Sequence, residues 1–513
     1  RFLFPAAHDV RPLVGGYEDV KRELRLINPL LETDERQLET VVSILRQAPG
    51  SVPFIVYGPP GTGKTVTIVE AILQLLRADT SRNILVCAPS NVATDVLTER
   101  LAGGGLTTAD MLRLNAFSRD IGTDCSDAVK TFTHACADAD DVYAVPPLAQ
   151  LVRYRVVLCT CSSASLLQTS GVPRGHFSHV FVDEAVYADE PTCVIPIKAV
   201  ADEFTQIVLA GDPNQLQPVV MSNTAGKGLK RSYLQRLMSM KDIYGLPQQH
   251  GQTIVKLVRN RRSHPRIIAW SNKMFYEDEL RAHADPVVVH SLLGSTLLPN
   301  KKFPVVFHGI KGEEKRSVSS SVFNVEEASL VKKYCKTLTE GPEHRVLAKD
   351  IGVVAPYKAQ ARRIRRLLKN ARLKDVVVGS VEQFQGQERK VIIISTSRSS
   401  VDKEDAKAVE AKKSIGFIGE GRRMNVAFTR AKSMLVVIGD PNALGVSPLW
   451  RFFLNFVHRN GGCKGRPLGW KADEGVKLPD YVKEDVPLDQ RAHGEEFMGG
   501  VRSYILRQRP PAR

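Results

Sequence analysis

Short runs of aliphatic and β-branched residues recur along the chain. They are PFIVYG (53–58), ILVCAP (84–89), YRVVLCT (154–160), HVFVDEA (179–185) and QIVLAGD (206–212), then IGVVAP (351–356), DVVVGS (375–380), KVIIIS (390–395) and MLVVIGD (434–440). Helix-period segments such as VTIVEAILQLLRA and ATDVLTERLA separate most of them. Runs that are apolar on both faces and alternate with helices predict an α/β protein with mainly parallel sheets covered on both sides. The runs fall into two sets. The first ends near SYLQRLMSM, the second begins near QTIVKLVRN, and the turn-rich GLPQQHGQ between them places a boundary near residue 245. The segment from about 114 to 153 is polar and Ala/Asp-rich without a period, and is expected to be a small subdomain inserted in the first set.

Length and composition narrow this picture. At 513 residues and 43% hydrophobic, the chain can bury ample core and should hold two or three domains. A net charge of +16 favours an anionic partner, though charge alone does not separate RNA from DNA or an acidic membrane. No apolar run approaches the ~18 residues that cross a bilayer, so no membrane partner is expected. RFLFPAAHDVRPL lacks the features of a signal peptide, and the start on Arg1 rather than Met reads as a piece of something longer. Eight cysteines without a CxxC pair suggest a reduced, cytoplasmic protein with no structural metal. The tail from about Trp470 is rich in Lys, Asp, Glu and Pro, and could wrap the core or be loosely ordered.

The chemistry-bearing residues cluster at run ends. GPPGTGKT (Gly58, Pro59, Pro60, Gly61, Thr62, Gly63, Lys64, Thr65) follows one run and opens a helix, as a phosphate-binding loop does. Its backbone N–H groups would cradle the phosphates of ATP, Lys64 would reach the β and γ oxygens, and Thr65 would hold Mg²⁺. Asp183 and Glu184 close another run, where one carboxylate suits the metal and the other a base for water. Gln215 in LAGDPNQLQP either senses the γ-phosphate or belongs to a polar turn capped by Asp212. In the second set, VRNRRSHP offers Arg261 and Arg262, and RRMNVAFTRAK offers Arg423 and Arg430. A guanidinium there can neutralise charge on the γ-phosphoryl group. Arg430 is the better candidate, because Arg423 suits a surface salt bridge.

The order P-loop, APSN, DEA, GDPNQLQP, NRRSHP, APYKAQ, VGSVEQFQGQE and NVAFTRAK resembles superfamily-one helicases of the group that includes the nonsense-mediated-decay helicase. Within that group the likeness points to the Armitage and silencing-defective RNA helicases, relatives of the Moloney leukaemia virus resistance helicase. It rests also on FPAAHDVRPL, SRDI after Leu114 and GSVEQFQGQERKVIIIS, and covers roughly residues 1–467. The resemblance implies two tandem RecA-like P-loop domains, with ATP in the cleft and single-stranded nucleic acid across the top. With it the domains are expected at 31–245 and 246–467, after a stalk-like segment at 1–30 and before a tail at 468–513. It implies that Gln37 reads adenine, that Gln215, Arg262 and Arg430 sense the γ-phosphate, and that Gly386 and Glu388 contact phosphate and ribose. Pro89, Ser90, Asn91, Thr160, Pro356, Tyr357, Ser380 and Val381 match motifs that line the nucleic-acid track. The implied activity is ATP-dependent 5′-to-3′ movement on single-stranded RNA, with RNA-silencing or decay proteins as partners. A DNA helicase of the same superfamily and an ATP-gated RNA clamp remain as alternatives.

Two features depart from that pattern or stand outside it. Relatives usually carry tyrosine, stacked on adenine, where this chain has Arg261, and they carry a stalk and small β-barrel of which only a trace of stalk at 17–30 precedes this core. The helix KAQARRIRRLLKNARLK is amphipathic and strongly basic, which suits either a solvated face or a second RNA site.

Overall fold

The structure is a computed structural model that describes residues 1–116, 119, 125–135, 143–220, 226–318, 320–341, 344–399 and 419–473. The chain divides into two compact units, Arg1–Arg259 and Asn260–Arg513. The division falls later than the expected boundary near 245. The reason is that IVK, taken as the start of the second set, forms a strand of the first sheet, with Ile254–Lys256 pairing parallel to Phe54–Tyr57.

The first unit holds a seven-stranded parallel sheet. Its strands are β1 (Phe54–Tyr57), β2 (Ile84–Ala88), β3 (Met111–Arg113), β4 (Val156–Thr160), β5 (His179–Val182), β6 (Gln206–Gly211) and β7 (Ile254–Lys256), in the order β3-β4-β2-β5-β6-β1-β7. Alternate residues serve opposite faces. Ile55, Leu85, Cys87 and Val157 enter one apolar cluster, while Phe54, Val56, Ile84 and Val86 enter the other. Both faces are therefore covered, as continuous apolar runs predict. Cys87 and Cys159 lie side by side on paired strands with sulfurs 3.7 Å apart, both reduced and buried.

Of residues 1–30, only Tyr17–Glu23 forms an α-helix. The segment after it is clamped to helix Lys64–Ala78: Ile27 and Asn28 donate their N–H groups to Glu70 (2.9 and 3.0 Å), and Gln74 donates to the Arg25 carbonyl (2.7 Å). Within the expected insertion, Arg113 N–H bonds Phe132 O, Val129 and Tyr143 are buried, and residues 117–118, 120–124 and 136–142 lie outside the described set.

The second unit repeats the plan with six parallel strands: β8 (Val305–Gly309), β9 (Ile351–Val354), β10 (Val377–Gly379), β11 (Arg389–Ser395), β12 (Ala431–Gly439) and β13 (Cys463–Gly465), ordered β10-β9-β11-β12-β8-β13. One apolar cluster includes Val306, Val353, Ile393 and Val436. An aromatic cluster contains Trp270, Phe428, Trp450 and Phe453, with Phe428 and Phe453 centroids 4.4 Å apart. Glu327, wholly buried, accepts from Ser395 Oγ (2.7 Å) and Ser397 N (2.8 Å), and burial pushes its carboxyl up to about 8. The tail beyond residue 473 lies outside the described residues, and no helix among those described is long and apolar enough to cross a membrane.

Candidate functional site

In the first unit the candidate residues converge at the carboxyl ends of β1, β5 and β6. The loop from Gly58 turns through Gly61 (φ 70°) and Gly63 (φ 80°) into helix Lys64–Ala78. Both glycines occupy the left-handed region that side chains resist. A Cβ on Gly63 would also stand 2.2 Å from Gln37 Nε2. That amide donates to the carbonyls of Thr62 (3.2 Å) and Gly63 (3.3 Å), so Gln37, in the first turn of helix Glu35–Arg46, is tied to the loop. Lys64 and Thr65 thus sit in the first turn of a helix, where N–H groups and the helix dipole favour an anion.

Lys64 Nζ lies 2.9 Å from Glu184 Oε1 and 3.8 Å from Asp183 Oδ1. Thr65 Oγ1 donates to Asp183 Oδ2 at 2.8 Å. Burial works against the lysine's charge, but Glu184 and Asp183 outweigh it and hold its pKa above the ordinary value. Burial raises the pKa of Asp183, with Lys64 opposing and Glu184 reinforcing. Glu184 adopts φ 53°, a left-handed conformation that costs a non-glycine residue roughly 1 kcal/mol or more. Gln215 is buried and donates to Asp212 Oδ2 (2.8 Å), so the turn capped by Asp212 is present, and Asp212 lies close enough to act on Lys64.

Three carboxylates around one lysine leave the pocket short of positive charge. Hard oxygen donors with that deficit fit Mg²⁺, which binds through one or two protein groups plus phosphate oxygens rather than a full protein cage.

The residues expected to line the track follow β2 and β4, on the same carboxyl edge of the sheet. Ala88 and Thr160 are register partners on β2 and β4, which brings Thr160 beside Pro89, Ser90 and Asn91. Ser90 caps helix Asn91–Gly103, its Oγ accepting from Ala93 N at 3.2 Å. Asn91 Oδ1 accepts from Arg113 Nη2 (2.9 Å), and the fully buried Arg113 also pairs with Asp95 (3.0 Å). Arg119 reaches the same Asp95. Sequence reasoning missed this cluster. Its signal was the i,i+4 spacing of Asn91 and Asp95, together with an arginine closing an apolar stretch.

In the second unit the structure brings Arg262, Gly386, Glu388 and Arg430 together. Asn260 Oδ1 accepts from Arg262 N (3.1 Å) and Ser263 N (2.9 Å), which folds NRRSHP into a turn, and Ser263 Oγ donates to Ala431 O (2.7 Å). Arg262 Nε donates to Glu388 Oε2, and Arg262 Nη1 donates to Thr429 O at 3.2 Å. Lys432, which sequence reasoning also missed, pairs with Glu388 Oε1 at 2.7 Å; its signal is the two-residue spacing from Arg430. Burial alone would raise the Glu388 carboxyl, but Arg262 and Lys432 hold it down at about 2. Its ion pairs are therefore fully present above the ordinary glutamate range and lost only as pH falls toward 2. Arg430 is buried, bonding Val426 O (3.1 Å) and Gln387 O (3.4 Å). Arg261 is half-buried in the same turn. Arg423 is mostly buried, between Glu382 and Glu420, rather than in a surface salt bridge, because its helix packs that side inward.

Val354 and Gly379 are register partners, so Pro356 and Tyr357 after β9 lie beside Ser380 and Val381 after β10. Val381 is buried as a whole residue, and its carbonyl accepts from Phe384 N (3.2 Å), so of this pair Ser380 is the one at the surface. The loop from Ser380 to Glu388 then runs from the carboxyl end of β10 to the amino end of β11, with Glu382–Phe384 wound in a 3₁₀ turn.

Comparison with known proteins shows two AAA domain matches, one over residues 32–139 and 149–223 and one over 229–442. The chain is 44% identical over 477 residues to the RNA helicase Mov10l1 of Homo sapiens, covering 90% of this chain and 38% of that protein. It is 32% identical to the "Probable RNA helicase armi" of Drosophila melanogaster (88% and 40%). It is 31% identical to the regulator of nonsense transcripts 1 homolog of Arabidopsis thaliana (83% and 34%). The chain thus spans about two fifths of the length of these relatives.

Proposed function

Because this chain belongs to the superfamily-one RNA helicase family of Mov10l1, armi and the regulator of nonsense transcripts 1, we propose that it is the motor core of an ATP-dependent RNA helicase. It moves 5′ to 3′ on single-stranded RNA and remodels RNA duplexes or RNA–protein complexes in RNA silencing or turnover, alongside proteins of those processes. The observation that carries the reading is the buried Lys64–Glu184 pair, 2.9 Å apart, beside the Thr65–Asp183 bond at a glycine-rich loop.

That pair defines a working cycle for the side chains. Phosphate oxygens take over Lys64 as their counter-ion, which releases Glu184 to accept a proton from attacking water. Thr65 and Asp183 would hold Mg²⁺, which would supply charge neutralisation at the β and γ oxygens. Gln215 aligns the water, and Gln37 reads the adenine edge once the nucleotide draws its amide from the loop. Arg262 and Arg430 act on the γ-phosphoryl group, and Arg261 lies against the base. Pro89–Asn91, Thr160, Pro356, Tyr357 and the Ser380–Val381 turn line the track and contact phosphate and sugar, so base sequence has little influence.

ATP turnover and strand separation on matched RNA and DNA duplexes, each with a single-stranded tail on either end, test the reading. RNA-stimulated turnover with opening only from a 5′ tail supports it. Equal or greater activity on DNA would make the chain a DNA helicase, and RNA binding without turnover would make it a clamp.

A further inference from the structure

Helix Lys358–Asn370 begins on the residue after Tyr357, and the proposed nucleotide chemistry uses none of its charges. Ala361, Ile364 and Leu368 are buried on one face. Lys358, Arg362, Arg365, Arg366 and Lys369 recur at helical spacing on the opposite face, and all five are exposed. At 1.5 Å per residue they form a stripe roughly 16 Å long.

Among the described residues no acid balances this stripe. The helix contains no acidic residue, and among the described residues none of the five cations forms an ion pair. Lys358–Arg362, Arg362–Arg366 and Arg365–Lys369 are like-charged i,i+4 pairs, each destabilising to the helix itself. Exposed Arg372 and Lys374 extend the charge beyond the helix end. The stripe is also fixed in place: Arg365 Nη2 donates to Val378 O at 2.6 Å, on the strand that ends one residue before Ser380. Its first residue adjoins Tyr357, so it is continuous with both track elements of this unit.

We propose that this arginine stripe is a phosphate-binding surface that carries the RNA backbone onward from Tyr357 and Ser380. The inference rests on the reading of those residues as track contacts. A single strand suits the stripe better than a protein partner does, because binding energy in protein interfaces centres on buried aromatic and aliphatic anchors. Among the described residues, no large hydrophobic side chain is exposed anywhere from Pro356 to Ser380.

The test is a variant of the whole chain with Arg362→Gln, Arg365→Gln, Arg366→Gln and Lys369→Gln, compared with the parent by fluorescence anisotropy over a salt series. Two single-stranded RNAs serve as probes: one that covers only the track, and one long enough to pass the helix. On the long RNA the slope of log affinity against log salt should fall by about 0.7 per lost phosphate contact, roughly 2 to 3 in all. Affinity for the short RNA and turnover without RNA should be unchanged, and the melting temperature should move by no more than a few degrees, because relief of the like-charge pairs offsets the lost Arg365 bond. An unchanged slope on the long RNA overturns the inference. An unchanged slope together with lost binding to polyglutamate assigns the stripe to an acidic protein instead. If the parent binds neither RNA, it is the helicase reading that fails.

Discussion

The two units use one scaffold with opposite charge plans. In the first, a cation is surrounded by acids: Lys64 lies 2.9 Å from Glu184 and 3.8 Å from Asp183, with Asp212 behind. In the second, an acid is surrounded by cations: Glu388 is held by Arg262 and Lys432. The placement is reversed as well. Lys64 and Asp183 follow strands, whereas Glu388 and Arg430 immediately precede β11 and β12. A parallel sheet offers two chemically different edges, and the candidate nucleotide residues of the two units lie on different ones. The first unit's edge gathers acids around a lysine, as the proposed metal and phosphate site requires. The second holds guanidinium groups, kept in position by a carboxylate that does not titrate near neutrality.

The sharpest way to break this contrast is to remove each central charge. Lys64→Ala should abolish nucleotide binding, because it removes the ground-state counter-ion and leaves three acids facing the phosphates; a fluorescent-nucleotide titration reads this. Glu184→Gln should bind nucleotide normally but turn over about 10³-fold more slowly with saturating RNA. Turnover equal to the parent's would remove Glu184 as the base. Arg430→Ala should also lose about 10³-fold in kcat, with less than about a tenfold change in nucleotide affinity, since its charge serves the transition state.

A smaller effect distinguishes Glu388 from Glu327 in the second unit. Unlike Glu388, Glu327 is buried without a cation and its carboxyl is raised to about 8. A raised acid contributes fully below its unfolded pKa near 4.5 and loses that contribution as pH rises through 8. Glu327→Gln should therefore gain on the parent in melting temperature by a few degrees between pH 5 and 9. A constant difference across that range would show that the acid does not titrate there. The smallest expected change belongs to Arg261→Tyr. It should raise the kcat/KM ratio of ATP over GTP several-fold at nearly constant ATP turnover, because a ring grips adenine more selectively than a mobile guanidinium. An unchanged ratio rules out stacking by Arg261.

What the sequence revealed follows from how local each feature is. The P-loop, DEA and RRSHP motifs were legible because a turn, a run end or a helix start fixes each within a few residues. Apolar runs located nine strands, the three-residue β10 among them because it sits in the longer run DVVVG. Strands β3 and β13 lie in no such run and were hidden, and β7 was read but given to the second set. β8 was longer and was simply passed over. Misreading β7 displaced the boundary from 259 to 245. The Asp95–Arg113 and Glu388–Lys432 pairs left only a weak local signal for a different reason: each joins residues that only the folded sheet brings together.

The loop from Ser380 to Glu388 has a mechanical consequence. Parallel strands are usually linked by a dozen or more residues, often a full helix. This link has nine, three of them coiled. Its ends lie on opposite edges of the sheet, one beside Tyr357 and the other gripped by Arg262 and Lys432. A tether with so little slack transmits a pull instead of absorbing it, so displacement of Glu388 would be felt at Ser380.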